Sequence, residues 1–265
     1  KPQTTRQRVT GVLTNEDFQA IFVDAPGVVR PQAGLNHFLS GEFQSVVEDV
    51  DVLFLLLQLD AKSPDVFHEL IALAQKSKKP VLGIVTKIDR PEKHRILVLK
   101  EMLEKAGIES IKASALKNAP LMKEDVFEWL KKNLPETGAP LVDEEIYTTQ
   151  NMKQMAAELI REKCFEYLHQ EVPFGLAVHI LKFDESQPNL TKIHAEIWVS
   201  RDSHQGIVIG RGGSSLKRIG SEARRDIEKL IDTKVFLDLH VKVKKNWSKD
   251  EQIMKELGYV TPQSL

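Results

Sequence analysis

Two apolar runs, residues 52–59 (VLFLLLQL) and 81–85 (VLGIV), restrict the fold of this 265-residue chain more than any other feature. A strand wetted on one face alternates apolar and polar residues, whereas a nearly unbroken apolar run needs cover on both faces. Between the runs, Ser63-Pro64-Asp65 reads as a helix start: a serine cap, proline at the first helical position and an acid in the first turn. The segment 65–75 then turns Val66, Leu70, Ile71 and Leu73 toward a core. Residues 20–23 (AIFV) predict a strand running into Asp24, 92–105 and 123–133 predict helices, and 108–113 a short strand. Strands alternating with helices imply a parallel sheet covered on both faces, an α/β domain.

The stretch 134–147 breaks this rhythm with Pro135, Gly138 and Pro140 and no periodicity. The sequence therefore divides into an α/β domain at 1–134, a linker at 135–150 and a second domain at 151–265. The second domain reads helix (152–169), strand (176–183), strand (192–200), helix (214–231), strand (235–244), with a short amphipathic tail at 249–257. This is an α+β pattern in which the first two strands form an antiparallel hairpin. The formal net charge of −1 conceals an uneven distribution: residues 201–245 carry eleven Lys/Arg against six Asp/Glu. One cysteine, Cys164, excludes an internal disulfide and a cysteine zinc site, and its spacing with Leu159 and Ile160 predicts a packed thiol. Eight histidines lie without metal-ligand spacing, and the longest fully apolar run, 52–57, is too short to cross a bilayer. No signal-peptide pattern opens the sequence, so a cytoplasmic location is expected.

Three short motifs fall at three predicted strand ends, where open α/β sheets bind their ligands. Asp24-Ala25-Pro26-Gly27 follows the first strand; Asp24 could hold Mg²⁺, and the bare Gly27 amide could meet a terminal phosphate. Thr86-Lys87-Ile88-Asp89 closes the run 81–85. There Asp89 could accept two hydrogen bonds from a guanine edge, a donor pair that adenine lacks, while the Lys87 stem covers the base plane. Ser114-Ala115 ends the next strand, 25 residues after Asp89, where small side chains let a backbone N–H approach the guanine carbonyl. Each motif has a bland reading as a capped turn or surface Lys/Asp pair; their joint placement carries the weight. In the second domain, Ile209-Gly210-Arg211-Gly212-Gly213 lies between an apolar helix and a basic one bearing Lys217 and Arg224. Such a GxxG turn lets a nucleic-acid backbone come close.

These residues resemble the Era family of GTPases over essentially the whole chain. The three strand-end motifs match the G3, G4 and G5 motifs, and the GxxG segment is similar to a type II KH domain. The resemblance implies a P-loop GTPase domain followed by an RNA-binding domain, with GTP or GDP as ligand and Mg²⁺ as cofactor. It implies a nucleotide site of Asp24, Ala25, Pro26, Gly27, Val28, Thr86, Lys87, Ile88, Asp89, Ser114 and Ala115, with Thr5 and Asp24 on the metal. It places RNA at Ile209, Gly210, Arg211, Gly212, Gly213, Lys217 and Arg224. The partners implied are the 3′ end of small-subunit ribosomal RNA and the 30S subunit, for a monomer with weak peripheral membrane contact as a further element of the resemblance.

Two departures from the family, one hydrophobic residue that the family shares and one gap shape the expectation. Thr86 stands where the family has asparagine, and Ala25 where threonine is common. Val28 occupies the position at which many GTPases carry a glutamine that orients the attacking water, so hydrolysis should be slow, with 28–39 as the switch II segment. No G-x-x-x-x-G-K-[ST] stretch occurs in the sequence. The expectation is a longer protein whose first strand and phosphate loop precede Lys1, with weak or no GTP binding by the chain as written. The competing reading is a constitutive RNA-binding scaffold whose GTPase domain is degenerate.

Overall fold

The computed structural model describes residues 8–25, 35–60, 66–117, 119–143, 147–148 and 151–259. Its contacts divide the chain into two compact units: Lys1–Gly11, Phe22–Phe43 and Tyr147–Leu265 in one, Val12–Ile21 and Gln44–Ile146 in the other. The chain opens with a hairpin of β1 (Val9–Thr14) and β2 (Gln19–Asp24). Its turn is set by the Asn15 side chain, which accepts from the amides of Asp17 and Phe18 at 2.9 Å. β1 was not expected, because VTGVLT alternates poorly and carries a glycine. Helix α1 (Leu35–Asp49) takes up residues 35–39 of the expected switch II segment; the rest of that segment lies outside the described residues. Leu35, Phe38 and Leu39 are buried in one cluster with Ala177, Trp247, Met254 and Tyr259. Through that cluster the stretch 22–43 groups by contact with the C-terminal residues.

The apolar runs form β3 (Leu53–Gln58) and β4 (Val81–Thr86), joined through α2 (Val66–Ser77). After α3 (Arg95–Lys105), β5 (Glu109–Lys112) completes a three-stranded parallel sheet in the order β3-β4-β5. Helix α4 (Ala119–Asn133) closes this unit. One buried cluster joins Leu55, Leu57 and Val85 to Phe67, Ile71, Leu99 and Leu103. A second joins Leu82, Ile84 and Ala113 to Ala20, Trp129 and Leu130. The central strand β4 is thus covered on both faces, as the run predicted. Strand β3 is not: it lies at the edge of this sheet, and Leu56 is 58% exposed. Strand β2 pairs with β1 in a separate sheet, so 20–23 does not join the parallel sheet. Gly83 is the close-packing point, since a Cβ there would lie 2.6 Å from Leu103 Cδ1.

The C-terminal unit begins with α5 (Met152–Tyr167), started by a capping box between Asn151 and Gln154. Strands β6 (Leu176–Gln187) and β7 (Leu190–Val199) form the expected antiparallel hairpin. Helix α6 (Asp202–Ile209), the glycine turn and helix α7 (Ser214–Ile231) follow, and β8 (Lys234–Val243) lies parallel to β7. A short helix, α8 (Glu251–Glu256), follows β8. Helices α5 and α7 bury Ile160, Cys164, Ile219, Ala223 and Ile227 against Val178, Ile193, Ala195 and Ile197. Burial pushes the Cys164 thiol up to about 12, that of a packed, unreactive sulfur. Trp198 and Trp247 are 2% and 0% exposed, so both pack.

One ion pair ties the two helices. Lys163 of α5, 9% exposed, reaches Asp226 of α7 at 2.8 Å. The Lys163 hydrogen bond, helped by Lys229, draws the Asp226 carboxyl from 3.8 to about 2. A depressed carboxyl adds stability above its unfolded value and loses it as pH falls through the folded one. Acid should therefore weaken this unit between pH 3.8 and about 2 through Asp226. Asp226→Asn should flatten that limb and lower the unfolding free energy at neutral pH by about 1–2 kcal/mol, as urea titrations at stepped pH would measure.

Candidate functional site

The carboxyl end of the parallel sheet gathers the second and third motifs. The amide of Ala113 donates to Val85 O at 2.8 Å, and Ile88 N donates to Ala113 O at 3.3 Å. These two bonds lash the loop after β4 to the loop after β5. They bring Ser114, 1% exposed, against Asp89, whose Oδ1 accepts from the serine hydroxyl at 2.6 Å. That hydrogen bond, then one from the Asp89 backbone amide and the charges of Arg90 and Lys117, holds the Asp89 carboxyl below its ordinary range. The aspartate is thus ionised and oriented, a pure acceptor for a pair of N–H donors. Ala115, next to Ser114, is exposed and leaves the mouth of the loop open.

Lys87 takes a left-handed backbone, φ +59°, at the tip of its loop. Its ammonium donates to Gln58 Oε1 at 2.9 Å and to both Asp60 oxygens at 3.0 Å. Neither Gln58 nor Asp60 belongs to a motif, and the sequence reading passed over both; the only available signal was a polar residue interrupting an apolar run. Thr86 ends β4 and pairs in register with Gln58 of β3.

Asp24 ends β2 as an exposed carboxylate, with Ala25 half-buried beside it. They fall in the other compact unit from Asp89. Thr5, Pro26, Gly27 and Val28 lie outside the described residues. Mg²⁺ keeps several waters and takes one or two protein oxygens besides phosphate, and the exposed Asp24 carboxylate is a described oxygen that could serve. Among the described residues no group of three or more His, Cys, Asp and Glu could hold a metal.

In the C-terminal unit the glycine turn is built from positive φ angles: Gly210 at +75°, Gly212 at +60° and Gly213 at +80°. Gly210 N closes α6 on Gly206 O at 2.9 Å, and Gly213 N returns to Gly210 O at 3.1 Å. A Cβ at Gly210 would lie 2.7 Å from Ser215 Cβ and 2.9 Å from its amide nitrogen, whereas at Gly212 and Gly213 there is open space. Gly210 therefore shapes the turn, and the other two leave backbone open to a ligand. The N-terminus of α7 follows directly, favouring anions. The structure sorts the basic residues of this face. Arg218 stacks over Tyr167 at 4.2 Å, Arg225 pairs with Glu222 and Lys229 with Asp226. Among the described residues no ion pair or side-chain hydrogen bond engages Arg211, Lys217 or Arg224, all exposed. Ile209 is only half-buried, and its neighbour Ile207, not singled out from the sequence, is 50% exposed.

A parallel α/β sheet whose carboxyl-end loops present a fixed aspartate, followed by an α+β unit with a glycine turn, is the architecture of a GTP-binding protein carrying a KH domain. Residues 171–248 match the KH domain family, and 12–132 match a family described as ethanolamine utilisation - propanediol utilisation. The chain is 38% identical over 263 residues to GTPase Era of Clostridium kluyveri, covering 98% of this chain and 88% of that protein. GTPase Era of Geotalea uraniireducens is likewise 38% identical over 263 residues, with 98% and 87% covered. A crystal structure of Era with MgGDPNP and nucleotides 1506-1542 of 16S ribosomal RNA superposes with a TM-score of 0.89 at 32% identity, covering 98% of this chain and 88% of that one. Aquifex aeolicus Era bound to GDP.AlF4- gives 0.88 at 32% identity, with 98% and 89% covered. The chain belongs to the GTPase Era family.

Gly210→Ala should cost about 1–3 kcal/mol, because strain and collision coincide there, and Gly212→Ala only about 1 kcal/mol. Paired urea unfolding curves of the two variants would measure the difference.

Proposed function

We propose that the protein is a slow GTP-hydrolysing switch that binds small-subunit ribosomal RNA and assists assembly of the 30S subunit. The observation that carries this reading is the Asp89 carboxylate held at 2.6 Å by buried Ser114 on two loops lashed together by backbone hydrogen bonds. An ionised acceptor fixed in this way matches guanine and rejects adenine, which would leave the carboxylate unpaired. The relatives bear the name GTPase Era, and related structures hold MgGDPNP with 16S ribosomal RNA, or GDP.AlF4-.

We assign Asp24, Ala25, Pro26, Gly27, Val28, Thr86, Lys87, Ile88, Asp89, Ser114 and Ala115 to the nucleotide, and Thr5 with Asp24 to Mg²⁺. When bound, the metal supplies positive charge to the phosphates. The chain's own residues orient the base, and a valine at position 28 offers no side-chain hydrogen bond to the attacking water. Slow turnover follows, suited to a switch. We read 1–134 as the GTPase domain, 135–150 as the linker and 151–265 as the KH domain. Ile209, Gly210, Arg211, Gly212 and Gly213, with Lys217 and Arg224, are the RNA contacts, with phosphates at the turn and bases on the apolar surface. No described helix is long and apolar enough to cross a membrane; we place the protein in the cytoplasm as a monomer, with at most peripheral contact at the inner face of the membrane.

A second reading, a nucleotide-free RNA scaffold, is favoured by Thr86 in place of asparagine. Titration of the full-length protein with fluorescent GDP and XDP decides between them. Wild type should bind GDP, and Asp89→Asn should lose at least about a hundredfold in GDP affinity while gaining preference for XDP. Binding of neither nucleotide by wild type would leave the scaffold. On the RNA side, Lys217→Ala and Arg224→Ala should each reduce the salt dependence of binding by about one counterion. An oligoribonucleotide of the small-subunit 3′ end, titrated across salt concentrations, measures that slope.

A further inference from the structure

Laying the Lys87 stem over a base plane leaves its ammonium in need of polar partners. Gln58 and Asp60 are those partners, accepting from it at 2.9 and 3.0 Å. An exposed ion pair of this kind does little for fold stability, so its value lies in fixing the lysine stem. Gln58 has a second end. Its oxygen is engaged by Lys87, but among the described residues its carboxamide nitrogen has no hydrogen-bond partner. Across the sheet, Gln58 is the register partner of Thr86, the position where a hydroxyl stands in place of the usual amide. Residues paired in register on neighbouring strands present their side chains to the same face.

We propose that Gln58 is a nucleotide-affinity residue of this GTPase: its carboxamide N–H donates to the bound guanine nucleotide, supplying the amide that Thr86 lacks, while Asp60 positions Lys87. The proposal rests on the guanine-nucleotide reading above. It makes the threonine a compensated substitution: the amide donor has moved from the end of one strand to the end of its neighbour. Gln58 is exposed at a strand terminus, so its replacement leaves the core intact.

The test is a fluorescent GDP titration of the full-length protein, comparing wild type, Gln58→Leu, Thr86→Asn and the double variant, with unfolding midpoints measured in parallel. Gln58→Leu should lose about tenfold in GDP affinity, the worth of one hydrogen bond, without a change in midpoint. Adding Thr86→Asn should restore most of that loss, a rescue that a merely structural role would not produce. Asp60→Asn should also weaken binding, and Lys87→Met should cost less in that background than in wild type. Unchanged affinity in Gln58→Leu, or a loss that Thr86→Asn does not restore, overturns the proposal. A wild type that binds no GDP would instead overturn the guanine-nucleotide reading, and this inference with it.

Discussion

The bond from Ala113 N to Val85 O, 2.8 Å long, is the contact on which the proposed guanine site depends. Val85 has no exposed surface and sits in the central strand of a sheet covered on both faces. Its carbonyl cannot move without disturbing two packed layers. The loop after β5 therefore inherits the rigidity of β4, and the loop after β4 is tied back through Ile88. A hydroxyl placed on such a support can hold a carboxylate in one orientation before any ligand arrives, the preorganisation that specific recognition needs.

The two units solve opposite problems. In the parallel-sheet unit, the proposed guanine recognition requires a charged group oriented by a buried neighbour. In the KH unit the proposed RNA contact requires the removal of side chains, so that backbone can meet backbone. Three positive φ angles do this, and only Gly210 is also sterically compelled. Around that turn, internal partners occupy Arg218, Arg225 and Lys229 and leave Arg211, Lys217 and Arg224 presented to solvent. Formal charge alone overstates how much of a basic face is available to a polyanion.

Periodicity made most of the fold legible. The helix from Ser214 to Ile231 was readable to the residue, because its core positions recur at helical spacing. The β6–β7 hairpin and the three parallel strands were equally plain. What failed to show was context. Leu56 belongs to an apolar run like its neighbours, but its strand lies at a sheet edge, and edges are a property of pairing and not of composition. Strand β1 has too little alternation to register, and α1 was hidden beneath a segment read for its switch role. At the site, Asp89 and Ser114 were visible because a fixed spacing places them at successive strand ends. Gln58 and Asp60 were not, since they meet Lys87 only through the parallel register of β3 and β4.

Cys164 has a use unrelated to nucleotide or RNA. It is the only thiol in the chain and lies wholly buried on the inner side of α5, in the cluster shared with α7 and the sheet, where burial pushes the thiol up to about 12. Modification at neutral pH requires the helices to part, so the labelling rate of the unaltered protein becomes a clock for opening of that unit alone. The sequence thus carries its own reporter of local breathing, with no engineered probe to perturb the core it measures.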